Sequence, residues 1–162
     1  MSNYKTVPTE FTVEEGLDTT EIEGLRDEMQ EWVDNMSGTN LENTSKYEMA
    51  EEAVSQLDRV GDINFDEIWD AFPENCPVKV DELKALKFTC HLFEPKSKRQ
   101  HASRAYRLSN AITHIIGSLE AVEDYLEDRK EEEEVKAILQ AVEEIKDSVQ
   151  DLDSVDFPGM FG

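Results

Sequence analysis

Apolar residues recur along this chain at two different periods. From Thr20 to Ser37 the apolar positions Ile22, Leu25, Met29, Trp32, Val33 and Met36 follow the three-and-four spacing of one helix face, with Asp27, Glu28, Glu31 and Asp34 opposite. Thr19 or Thr20 can cap the start, and Gly38 can take the left-handed conformation at the end. A second helix is predicted from Ser45, which has capping-box spacing to Glu48, through Ala50, Ala53, Val54, Leu57 and Val60 to a stop at Gly61. Asn64 and Glu67 repeat that spacing for a short third helix through Ile68 and Trp69, which Pro73 ends.

The period changes between Asn75 and Pro95. Val78 and Val80 alternate with lysine, and Leu86, Phe88, Cys90 and Leu92 alternate with Lys87, Thr89 and His91, which reads as two short strands. A single helix over Asp81 to Phe93, with Leu83, Leu86, Cys90 and Phe93 inward, is the competing pattern; aromatic and β-branched content favours strands. After a loop at 96–100, the longest helix runs from Ala102 to Asp128 with Ala105, Leu108, Ile112, Ile115, Leu119, Val122 and Leu126 in a heptad stripe. A second stripe (Val135, Ile138, Val142, Ile145, Val149, Leu152) begins nine residues after Leu126, which at about 100° per residue lies on the opposite side. One straight helix cannot bury both. The break is placed in 128–134, and an antiparallel hairpin is favoured over a kinked continuous helix. The expected class is therefore mostly α with a small β element (α+β), helices packed around a long antiparallel hairpin, with one short two-stranded β segment.

The 162 residues suit one domain over 1–162, with 1–17 a flexible arm and 153–162 an apolar tail. A net charge of −22 raises the question of disorder, but the 38% of apolar residues sit at helical spacing, so each segment offers a face to a core. Charge is unevenly spread: 4 basic and 20 acidic residues in 1–75, 8 and 3 in 76–119, 4 and 15 in 120–162. Such a surface repels nucleic acid and anionic lipid, so the expected partner is a protein with a basic surface. No stretch approaches the roughly 20 apolar residues of a membrane span, and the N-terminal residues lack a signal-peptide core, so a cytoplasmic setting is expected.

The runs GLRDEMQEWVDNM, SKYEMAEEAVSQLD and SRAYRLSNAITHIIGSLEAVEDYLE resemble a loose group of small acidic proteins of tailed bacteriophages. The resemblance rests on helical patterns across much of the chain. It implies a viral context, with the host cytoplasm as the setting, and carries over no functional residues.

Catalytic motifs are missing from the sequence: there is no GxSxG, no phosphate-cradling glycine loop and no HExxH, and most carboxylates fall where helices meet water. The expectation is a non-enzymatic protein without cofactor. Cys76, Cys90, His91 and His101 include zinc-preferred ligand types but lack close pairing, so buried thiols and surface imidazoles are expected. His114, beside the heptad stripe, reads as a hydrogen-bonded flank residue.

Three surfaces remain. The acids Asp27, Glu31 and Asp34 on the first helix, Glu120, Glu123, Asp124 and Glu127 on the long one, and Glu143, Glu144 and Asp147 on the last form the expected partner-binding surface. Twenty-two excess charges equal roughly 37 Å of duplex DNA, and a helix of about 27 residues is roughly 40 Å long, which permits DNA mimicry and inhibition of a nucleic-acid-binding protein. The acid-free run from Pro95 to Leu119, with Lys96, Lys98, Arg99, Arg104 and Arg107, either contacts phosphate or pairs with acidic helix faces of the same domain or a second copy; pairing is favoured. Phe157, Met160 and Phe161 make the tail an anchor for the protein's own core or for a partner. The alternative function is a virion component that self-associates through the heptad helices and the basic segment, as a homo-oligomer.

Overall fold

The computed structural model describes residues 3–158. Strand β1 (Tyr4–Thr12) leads into the single turn α1 (Val13–Gly16). Helices α2 (Thr20–Met36) and α3 (Ser45–Leu57) follow, then a 3₁₀ turn (Asp58–Asp62), α4 (Asp66–Asp70) and α5 (Val80–Lys84). Strand β2 (Lys87–Pro95) precedes the long α6 (Arg104–Leu126) and α7 (Glu133–Asp151). The class is α+β: mostly helical, with one two-stranded antiparallel sheet.

The sheet pairs Tyr4 with Pro95 through to Thr12 with Lys87. Backbone bonds just beyond it, Lys96 N to Asn3 O (2.9 Å) and Val13 N to Leu86 O (2.8 Å), fix which residues face across the ladder. The odd-numbered residues of β1 and even-numbered ones of β2 exchange the bonds, so Pro8 and Pro95 fall where the ladder needs no N–H. Along the outer edge of β2 runs α6. There the Asn110 amide accepts from Phe93 N (2.7 Å) and donates to Phe93 O (2.8 Å), standing in for a third strand. At the outer edge of β1, the exposed Pro8 and Glu10 discourage pairing with another chain.

Two sequence expectations are corrected here. Residues 4–16, expected within a flexible arm, are the sheet's first strand and a capped turn, in which Thr12 and Glu15 bond reciprocally as a capping box. The strand expected at Val78–Val80 is absent among the described residues: Val78 is buried in a loop, and Val80 opens α5. The alternation around Lys79 is a core residue, Val78, and a half-buried helix start, Val80, either side of a helix cap, and β2 finds its partner some eighty residues earlier.

The helices form where their stripes predict. Ile22, Leu25 and Met29 of α2 are buried, and Gly38 takes a φ of 77° just past its end. The start of α2 is held from outside the predicted caps, by Asp18 Oδ1 accepting from Thr20 N at 2.9 Å. Thr44, not Ser45, caps α3, accepting from Tyr47 N at 3.3 Å. Gly61 lies inside the 3₁₀ turn, four residues after α3 ends. Ser103 caps α6, and Leu108, Ile112, Ile115, Leu119, Val122 and Leu126 are buried; Ala105, the first position of the predicted stripe, is exposed. The chain turns through 127–132, and α7 returns antiparallel, burying Val135, Ile138, Val142, Ile145 and Val149. Both stripes enter one core with those of α2, α3 and α4.

Where α1 meets α6 the packing is tightest. A Cβ on Gly16 would overlap Ser118 Oγ and lie 2.9 Å from the His114 carbonyl, and one on Gly117 would lie 2.5 Å from the Phe88 ring. Ser118, fully buried, donates to Val13 O at 3.0 Å, and His114 Nδ1 lies 2.8 Å from Gly16 O. Two missing side chains thus let the α1 turn approach the α6 backbone and the Phe88 ring of β2 lie against α6.

Candidate functional site

The basic segment is split by the structure. Glu21 and Glu28 stand two helical turns apart on α2, on the face toward α6, and meet Arg104 and Arg107 one turn apart on α6. Arg107 bonds Glu28 through Nη2 (2.6 Å) and Nη1 (3.1 Å) and reaches Glu21 through Nε. Arg104 Nε lies 3.0 Å from Glu28 and its guanidinium sits 5.4 Å over the Trp32 ring. The Arg107 hydrogen bond, joined by Arg104, holds the Glu28 carboxyl below the usual carboxylate range against partial burial. Two of the five cations are therefore consumed inside the domain. Tyr106 belongs to the same packing, stacked on Tyr4 at 3.8 Å and edge-on to Phe93 at 4.8 Å. Lys96, Lys98 and Arg99 stay exposed on the loop between β2 and α6.

Of the ten predicted partner-binding acids, nine are exposed. The exception is Glu123, which is half-buried across the α6–α7 seam and pairs with Lys146 at 2.9 Å. Hydrogen bonding to Glu123 raises the Lys146 pKa, and Glu120 and Glu143 add to the effect. Glu123 thus ties α6 to α7 through Lys146, with Glu120 on α6 and Glu143 on α7 near enough to favour the lysine's charge. Asp124 and Glu127 continue the exposed acids along α6, and Glu144 and Asp147 along α7. Glu127 also holds Lys130 at 2.8 Å. Asp27, Glu31 and Asp34 form a separate exposed stretch on α2, where Asp27 pairs with Arg26 and Asp34 accepts from Gln30. Such carboxylates attract cations over about a Debye length.

The remaining predicted residues scatter. Cys76 and Cys90 are buried free thiols, burial raising the Cys90 pKa, while His91 and His101 are exposed. Among the described residues no three His, Cys, Asp or Glu side chains group as a metal ion would require. His114 is the flank residue its position suggested, bonded to the α1 backbone. Phe157 packs half-buried against the core; Met160 and Phe161 lie outside the described residues. Sequence reasoning missed Asn110, Ser118 and Lys146 as partners, since each answers a group distant in sequence. For the Glu21–Glu28 pair a signal existed: seven-residue spacing on one helix opposite two arginines three apart on another.

No helix among the described residues is long and apolar enough to cross a membrane. No family model, curated protein or solved structure matches the chain.

Proposed function

We propose that this is a non-enzymatic acidic interaction protein that binds a basic surface of a partner protein through the α6–α7 hairpin, as a mimic of DNA charge. The observation that carries the reading is the row of exposed acids on the two helices that Glu123 and Lys146 tie together: Glu120, Asp124 and Glu127 on α6 and Glu143, Glu144 and Asp147 on α7. Two cations of the central segment, Arg104 and Arg107, are spent on Glu21 and Glu28 and do not offset it. At 23 residues, α6 is roughly 35 Å long, about the span of one turn of duplex, and presents its acids from a rigid scaffold.

The resemblance to acidic phage proteins supports a viral setting, in which the partner is a host nucleic-acid-binding protein and the effect is inhibition. Recovery of a partner from host lysate, followed by titration of that complex with salt and with duplex DNA, tests the reading. Binding that weakens steeply with salt and is displaced by DNA supports it. Binding indifferent to both overturns it. Assembly of the purified protein into a ring or an open-ended polymer would favour the alternative of a virion component.

A further inference from the structure

Every second residue of β2 turns its backbone N–H and C=O away from β1. Lys87, Thr89, His91 and Phe93 are those residues, because the even-numbered ones exchange the ladder bonds. Asn110 closes the position at Phe93 with both atoms of its amide. At Thr89 and His91 the backbone groups have no partner among the described residues, and both residues are exposed. β2 therefore keeps an open edge that stops at Asn110, a stretch of roughly 14 Å from Lys87 to His91 at about 3.4 Å per residue.

Space for a strand lies beside that edge. Two hollows of about 520 and 440 Å³ separate β2 from α6, and both are lined by Thr89, Gly117 and Glu120, so they form one trough. Ile116 and Ala121 supply apolar walls. The charge at the rim is one-sided, with Glu120, Asp124 and Asp153 against Lys87. Glu10, directly across the ladder from Thr89, adds an exposed acid on the other face of the sheet.

We propose that this trough takes an extended basic segment of the partner protein, which adds as a third strand on the Lys87–His91 edge of β2. The proposal rests on the reading that the partner of the α6–α7 acids is basic, and states the form in which it binds. Unpaired strand N–H and C=O groups are matched by an extended backbone and not by a helix, whose backbone groups are bonded internally. The acidic rim attracts cations and repels anionic segments, a second copy of a chain of net charge −22 among them. Alternate side chains of the added strand face α6, where Ile116 and Ala121 suit apolar groups and Glu120 and Asp124 suit cations; the others lie on the Glu10 side of the sheet.

The probe is a short peptide of alternating lysine and valine, blocked at both ends and added to the full chain at low salt. Hydrogen exchange followed by NMR should show the Thr89 and His91 amides slowed about tenfold or more at saturation, with the amides of α2 unchanged. N-methylation of alternate peptide amides tests the backbone pairing: one set, facing β2, should abolish the protection, and the other should leave it. Thr89→Pro removes an edge donor that the ladder does not use and should weaken the peptide by about tenfold. Glu120→Gln with Asp124→Asn should weaken it too and make its salt dependence shallower. The methylated peptides, used on the unaltered chain, carry the test however the proline variant folds. Salt-dependent binding that leaves the Thr89 and His91 amides unprotected, or that treats both methylated peptides alike, would overturn the strand addition while leaving the acidic-surface reading in place. Absence of binding at low salt would overturn both. Protection that arises in the protein alone and grows with its concentration would overturn the proposal in favour of a second copy.

Discussion

Arg107 grips Glu28 with two nitrogens, Nη2 at 2.6 Å from Oε2 and Nη1 at 3.1 Å from Oε1, and so ties the start of α6 to the middle of α2. The pair is only partly exposed, and the bidentate geometry makes it stronger than an ordinary surface ion pair. Glu28→Gln should lower stability by about 1–2 kcal/mol at neutral pH, because two arginines lose their shared charged acceptor. The pH dependence has a definite sign. The Glu28 pKa is depressed in the folded protein, so its stabilisation is present above the ordinary carboxylate range and is lost as pH falls through the lowered value. Thermal melts of parent and Glu28→Gln should therefore differ at pH 7 and converge only in acid below the ordinary carboxylate range, where Glu28 itself takes up a proton. A gap that stayed constant through that range would show that the ion pair does not supply the difference.

Glycines 16 and 117 should respond differently to alanine. A Cβ at Gly16 meets a buried hydroxyl and the His114 backbone carbonyl, and the backbone cannot step aside without breaking the Ser118–Val13 hydrogen bond. At Gly117 the obstacle is the Phe88 ring alone, which is only half-buried and can rotate or shift. Gly16→Ala should cost about 2–3 kcal/mol and Gly117→Ala about 1 kcal/mol, by the usual scale of overpacking. Chemical denaturation of the two variants checks the order; equal losses would mean that the α1–α6 contact relaxes more freely than its geometry implies.

The helices were legible because a three-and-four stripe depends only on side chains within the element. Leu108 to Leu126 and Val135 to Val149 could be read without knowing what they pack against. Strand β1 was not legible. It has few apolar positions, Pro8 interrupts them, and it becomes a strand only by meeting β2, a pairing that no local pattern announces. The acidic surface was legible as a composition of exposed helix faces, but not its focus. That depends on how α6 and α7 align, which brings Lys146 to Glu123 across the seam. The basic run divided for the same reason: Arg104 and Arg107 face α2, whereas Lys96, Lys98 and Arg99 do not lie on a helix.

Leu119 has no exposed surface and lies midway along the α6 stripe. Leu119→Asp would place an unpaired carboxylate among apolar neighbours of several helices, a change expected to cost several kcal/mol and to lower the melting temperature sharply. An unchanged circular dichroism spectrum together with an unchanged melt would contradict the placement of this residue in the shared core.

Neutralising the hairpin acids separates binding from folding. Changing Glu120, Asp124, Glu127, Glu143 and Asp147 to their amides removes five negative charges from exposed positions. Of these, Glu127 has the direct lysine contact, an exposed, solvent-screened pair that contributes little to stability. With fewer like charges around −22, self-repulsion falls, so the variant should melt at the same temperature as the parent or slightly higher. Affinity for a basic partner should nonetheless drop, and the slope of log affinity against log salt should become shallower, because fewer ion contacts are made in the complex. Glu123 is left intact in this design, since removing it would leave Lys146 half-buried without its nearest counter-charge and confuse a folding defect with a binding one. Amide substitutions on α2, at Asp27, Glu31 and Asp34, remove three charges and serve as the control, with losses compared per charge removed. If the α2 set weakened a complex as much as the hairpin set, net charge rather than the α6–α7 surface would govern recognition. If only the hairpin set acted, the exposed acids of α6 and α7 would mark where the partner sits.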